Sequence, residues 1–177
     1  MKKLYMFLVS ILIIIIFIGC SSQSETKEVT VSDIMLNIKE QIALDLKEGG
    51  VPEDELKDGN LPTMLEGDLK AKKTDPLIDS NGLDIEYIEE GIILQAVINI
   101  NSDRIIILKA KDKNNVQDLK KSLEDIRKNQ AKIWEHYLPD QYKKVENTII
   151  KEKGNYLLYV TYDNPDKIET IFDEMLK

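Results

Sequence analysis

Apolar and polar positions along this chain fall into separate rhythms, and each rhythm predicts an element. From Val31 to Leu46, Ile34, Ile38, Ile42 and Leu46 recur once per turn. That spacing predicts a helix, with Ser32 as its N-cap and Gly49-Gly50 as its stop. Between Glu48 and Gly82 the rhythm is lost, because glycines at 59, 67 and 82 and prolines at 52, 62 and 76 cut the segment into pieces. Leu56, Leu61, Met64, Leu65 and Leu69 suggest one or two short helices lying on the core there. Ile85-Glu86-Tyr87-Ile88 fits either a strand or a helical turn. Ile92 to Ile100 and Arg104 to Ala110 are β-branched runs separated by Asn101-Ser102-Asp103, which predicts a hairpin. Ile105 to Leu108 lacks alternation, so that strand is expected at the centre of a sheet, covered on both faces.

A second helix follows, capped by Asn114 or Asn115 and ended by Pro139. Its stripe is Val116, Leu119, Leu123, Ile126, Gln130, Ile133 and Tyr137, at spacings of three and four. A coiled coil needs three or four sustained heptads, and Gln130 interrupts this one, so the stripe is read as core packing. Tyr142 to Lys153 and Tyr156 to Tyr162 flank Gly154-Asn155, a turn pair suited to positive φ, and predict a second hairpin. Asp163-Asn164-Pro165 opens a last helix with Ile168, Ile171, Phe172 and Met175 as its buried stripe. The expected fold class is α+β: one domain over residues 31–177, an antiparallel sheet of two hairpins with helices mainly on one face.

Ahead of that domain, Lys2 and Lys3 precede a predominantly apolar run from Leu4 to Ile18, closed by Gly19-Cys20. The run covers roughly 22 Å as a helix, short for a hydrocarbon core of about 30 Å. A basic start, an apolar stretch and a small residue before a cut describe a cleaved signal peptide over residues 1–19. Phe17-Ile18-Gly19-Cys20 resembles the lipobox of bacterial lipoproteins, with Phe17 in place of the usual leucine. The resemblance implies cleavage between Gly19 and Cys20 and lipidation of Cys20. Residues 20–30 are polar and read as a flexible tether, about 17 Å end to end. Two or more acyl chains hold a protein stably at a membrane. The expected location is therefore the extracytoplasmic face of a bacterial cell membrane.

Charge narrows the choice of partners. The chain carries −8 overall, and −10 once Lys2 and Lys3 leave with the leader. The excess lies wholly between Cys20 and Ile100, where eighteen acids face seven lysines. An acidic surface argues against nucleic acid and against adsorption to anionic lipid.

Residues able to carry catalysis are few. Cys20 is the only cysteine, which excludes a disulfide within the chain and a structural thiolate metal site. His136, the one histidine, reads as a surface residue at the end of a helix, where its charge complements the dipole. Glu89-Glu90 near a strand start admits a carboxylate pair. Asp79-Ser80-Asn81-Gly82 has a faint calcium-loop look but lacks the alternating ligands of such a loop and reads as a turn. The acids from Glu53 to Asp58 read as a solvated helix start. No phosphate-binding glycine loop is present. Trp134, Tyr137, Tyr142, Tyr156, Tyr159 and Tyr162 gather in the second half and could form a recognition patch, although strand and helix spacing assigns most of them to the core.

Lys109-Ala110-Lys111-Asp112, the long charged helix, Tyr137-Leu138-Pro139-Asp140-Gln141-Tyr142 and Lys153-Gly154-Asn155-Tyr156 together resemble bacterial lipoproteins carrying the domain of unknown function 4358. The resemblance spans roughly Ile92 to Phe172. It implies a lipid-anchored extracytoplasmic protein and offers no catalytic residues. The functional expectation is a non-enzymatic binding module at the cell surface, without cofactor or metal, whose partner is an extracytoplasmic protein or a wall polymer. The alternative is a surface hydrolase using a carboxylate pair on wall glycan, and a third idea is calcium binding by the acidic first half.

Overall fold

The computed structural model describes residues 28–71 and 82–177. The leader, Gly19, Cys20, most of the tether and the Asp79-Ser80-Asn81 turn lie outside the described residues. Helix α1 (Val31–Glu48) leads into a 3-10 segment (Glu53–Gly59) and strand β1 (Met64–Asp68). A 3-10 turn (Ile85–Tyr87) then precedes β2 (Ile88–Ala96) and β3 (Arg104–Ala110). Helices α2 (Lys113–Glu135) and α3 (Pro139–Glu146) follow, then β4 (Ile149–Lys153), β5 (Tyr156–Thr161) and α4 (Pro165–Met175). The five strands form one antiparallel sheet in the order β1-β2-β3-β5-β4. Strand β3 is central, and Ile105, Ile106, Ile107 and Leu108 are all fully buried.

Successive residues of a strand point to opposite faces, so a central strand without polar alternation needs two cores. On one face Ile92, Leu94, Ile105, Ile107, Leu158 and Val160 pack beneath α1 and α4, meeting Ile34, Met35, Ile38, Ile42, Ile168 and Phe172. On the other, Ile93, Ile106, Leu108, Leu157 and Tyr159 pack beneath Val116, Leu119, Leu123 and Ile126 of α2. The helices therefore cover both faces. The expectation of a one-sided sheet is corrected by the apolar character of both sides of β2, β3 and β5. Burying a Leu or Ile side chain contributes about 1.5–3 kcal/mol, and each core holds about a dozen or more buried residues, so neither face could be left bare.

Other boundaries shift for local reasons. Thr30, not Ser32, caps α1: its side chain accepts from Asp33 N while Asp33 answers to the Thr30 amide. Asp112 caps α2 by accepting from the amides of Asn114 and Asn115, the two residues expected to be caps. The α2 seam continues through Gln130 to Trp134, whose indole N–H donates to Gln130 Oε1 at 3.2 Å, leaving Ile133 and Tyr137 exposed. Pro139 occupies the first turn of α3. Its ring suits that position because no amide is needed there. Tyr142 to Glu146 is consequently helical, and the strand expected from Tyr142 begins only at Ile149. In the acidic segment, Met64–Asp68 forms an edge strand paired with β2 rather than a helix. Strand β2 begins at Ile88 and ends at Ala96, so Val97 to Asp103 forms a loop at one end of the sheet. Gly154 turns the second hairpin with φ +63°, a conformation glycine adopts without steric cost.

Candidate functional site

Strand β3 is seven residues long, roughly 20 Å, and a charged cluster marks each of its ends. At the Ala110 end the ladder between β2 and β3 slips by one residue between Ile88 and Glu90. An irregularity of this kind re-aims side chains, and here Glu89 and Glu90 both approach the ammonium of Lys109, at 3.1 and 3.7 Å. Glu28 approaches the same nitrogen at 2.9 Å. The Lys109 side chain is 5 % exposed, whereas that of Glu28 is 74 % exposed. Burial alone would lower the Lys109 pKa; hydrogen bonds from its ammonium to Glu28 and Glu89 outweigh that and hold it above the usual lysine range. A lysine kept cationic cannot act as a nucleophile or general base.

The same end fastens the segment leading into α1. The Tyr156 hydroxyl donates to the carbonyl of Val29 at 2.5 Å, and the Val31 amide donates to Glu90 Oε2 at 2.9 Å. Tyr156 in turn lies with its ring 5.9 Å from the Lys109 ammonium. Its pKa is raised, chiefly by burial. The entering chain is thus clasped by groups from three strands: Glu90 of β2, Lys109 of β3 and Tyr156 of β5.

At the Arg104 end, Lys144 of α3 places its ammonium 2.7 Å from Asp103 and 2.8 Å from Asp163. Lys144 and Asp103 are 11 % and 10 % exposed, so this pair is internal. Burial opposes the Lys144 charge, but bonds to both aspartates prevail and raise its pKa. Gln141 Oε1 accepts from the amide and hydroxyl of Ser102, at 2.8 and 2.9 Å. Together these contacts pin the Val97–Asp103 loop to α3. Beside them opens a cleft of about 560 Å³, bordered by Asp140, Gln141, Lys143, Lys144, Tyr162 and Asp163 among others. That volume falls within the range of ligand sites. Burial, followed by the charges of Asp45 and Asp103, pushes the Tyr162 pKa up.

Residues 62–162 match the family profile described as a domain of unknown function, DUF4358. The match spans more than half of the chain. This chain belongs to the DUF4358 family. No curated protein and no solved structure matches it. The DUF4358 segment holds the whole sheet, α2, α3 and both buried lysines, but α1 and α4 fall outside it. Since α1 and α4 cover one entire face, the folded unit extends past the DUF4358 segment on both sides.

The candidates read from the sequence are dispersed by the fold. Glu89 and Glu90 come together, as partners of a lysine. His136 is 84 % exposed with Glu135 as its nearest acid, 4.0 Å away. Tyr156, Tyr159 and Tyr162 are buried and lie at the start, in the middle and just past the end of β5, so the aromatics form no single patch. Among the described residues only Trp134 and Tyr137 pair as rings, with centroids 5.8 Å apart. Among the described residues no group of three or more His, Cys, Asp or Glu could hold a metal ion. Lys109, Lys144 and Asp103 went unsingled as site residues. The one available signal was Lys109 itself, a charge set between Leu108 and Ala110 at the close of an apolar run.

Proposed function

We propose that the chain is a lipid-anchored protein on the extracytoplasmic face of a bacterial membrane, where it serves as a non-enzymatic binding module. Lipid on Cys20 supplies the hold, and in sequence Cys20 stands eight residues before the clasped segment at Glu28–Val31. The observation that carries the reading is the placement of the two ends. The incoming chain is fastened at the Lys109 end of the sheet, and the large cleft opens at the other. A domain moored this way turns its cleft away from the membrane. Among the described residues no helix is long and apolar enough to cross a membrane; in this reading the lipid carries the attachment. Fractionation of a Cys20→Ala variant tests this: release from the membrane, with loss of the acylated N-terminal peptide by mass spectrometry, is expected. Retention at the unchanged processed mass would contradict it.

One observation favours a carboxylate-pair hydrolase as a second reading: Asp140, Asp163 and Asp166 border the same cleft. Against it, Asp163 is already engaged by Lys144. Wall-glycan cleavage abolished in an Asp140→Asn/Asp166→Asn protein would favour the hydrolase. No cleavage by the unaltered protein would remove it.

A further inference from the structure

We infer that the cleft end is a docking surface for a polypeptide segment of another extracytoplasmic protein, one presenting an aliphatic side chain beside a basic one. This rests on the reading of the cleft as a binding site and names its partner. Eight large hydrophobic side chains are conspicuously exposed among the described residues, and five of them gather here: Val97, Ile98, Ile100, Ile133 and Tyr137. Ile100, at 59 %, is the most exposed of the eight. Concentrated apolar exposure of this kind marks an interaction surface, whereas scattered single residues do not.

The loop that carries three of these residues is held in place. Its far side is fixed by the Ser102–Gln141 hydrogen bonds and by the internal Lys144–Asp103 pair. Asp103 N also donates to Asn101 Oδ1 at 2.9 Å. Little ordering cost therefore attends docking, which favours affinity.

The chemistry of the partner follows from what adjoins the loop. An apolar hollow of about 360 Å³ between Ile100, Leu138 and Pro139 is bordered by Asp140 and Gln141, and those two residues also border the 560 Å³ cleft. The apolar and polar halves of this surface therefore adjoin across Asp140 and Gln141. In the polar half Lys144 is shared by Asp103 and Asp163, while Asp140 and Asp166 take part in no ion pair among the described residues. Among the described residues Lys143 is the one further cation on the cleft wall. Counting Asp103, four carboxylates thus face two ammonium groups, and a basic side chain completes the balance. An aliphatic side chain fills the adjoining hollow. A second copy of this chain would bring like charge against like. An anionic membrane would meet the same repulsion.

The test uses the full chain in phosphatidylcholine nanodiscs and a capped hexapeptide of alternating leucine and lysine, with empty discs as the blank. Binding by calorimetry is expected, at least tenfold tighter than for the leucine–glutamate or serine–lysine hexapeptides. Ile98→Ser/Ile100→Ser and Asp140→Asn/Asp166→Asn should each weaken it fivefold or more. Their unchanged thermal melts show that the fold survives. Cys20→Ala protein, free in solution without discs, should bind equally well, so failure of the anchor and failure of docking are read separately. Equal binding of all three peptides, or binding untouched by either double variant, would overturn the inference. So would binding to phosphatidylglycerol vesicles, or a dimer, that Ile98→Ser/Ile100→Ser abolishes.

Discussion

Lys109 and Lys144 lie roughly one strand length apart, each buried and each set against carboxylates, yet their surroundings differ in one respect. The acids around Lys109 are partly or largely exposed, and one of them, Glu28, belongs to the incoming segment rather than to the sheet. The principal partner of Lys144, Asp103, is as buried as the lysine. Exposed carboxylates can regain water when the pair breaks, whereas a buried one cannot. The Lys109 end is accordingly a fastening whose outer half can come away. The Lys144 end is a permanent part of the fold that keeps a loop and a cleft in shape. The same residue chemistry thus fastens an incoming segment at one end and holds a loop in shape at the other.

The largest expected effect is common to both ends. Lys109 and Lys144 hold their protons above the ordinary lysine value of 10.5, and Tyr156, Tyr159 and Tyr162 above the ordinary tyrosine value of 10.0. In each case the folded chain binds a proton that the unfolded chain releases first. Their contribution is thus complete below about pH 10 and falls as pH rises beyond it. Urea melts from pH 8 to 11.5 should show a steep loss on the alkaline side only. The ends separate in the next experiment. Lys144→Ala should cost about 3 kcal/mol, because it strands a buried carboxylate, and Lys109→Ala about 2 kcal/mol, because its carboxylates rehydrate. Equal losses in chemical denaturation would erase the distinction. Tyr156→Phe removes one hydrogen bond to the entering chain and should cost about 1 kcal/mol. Hydrogen exchange should then rise at Val31 and Ile34 while the Val97–Asp103 loop stays protected. Smallest of all, Ile100→Ser should change stability by less than about 0.5 kcal/mol, since its side chain contributes little to either core.

Much of the sheet was legible in the sequence because period and burial agree there. Strand β3 runs from Arg104 to Ala110 as its β-branched run foretells, and the absence of alternation correctly placed it at the centre. That same observation implied two covered faces, an implication the one-sided expectation left unused. Elements failed where turn residues obscured the pattern. Pro62 and Gly67 flank and interrupt β1, a strand only five residues long at the sheet edge. Pro139 ends one helix and starts the next, and reading it only as a terminator turned α3 into part of a strand. The site was less legible still. Glu89-Glu90 was noticed, but the bulge that aims both residues at Lys109 depends on strand pairing. The Lys144–Asp103 pair joins residues forty-one positions apart. Neither spacing carries a local signature.

Orientation is the property on which the whole comparison turns, and it can be measured directly. A fluorophore placed at Asn155, beside the clasp, and another placed at Ile100, on the cleft loop, can each be read by energy transfer to a lipid dye in intact spheroplasts. The Asn155 position should lie nearer the membrane by about 20 Å, the length of the central strand. An Ile100 position equally close or closer would contradict a protein moored at one end and binding at the other.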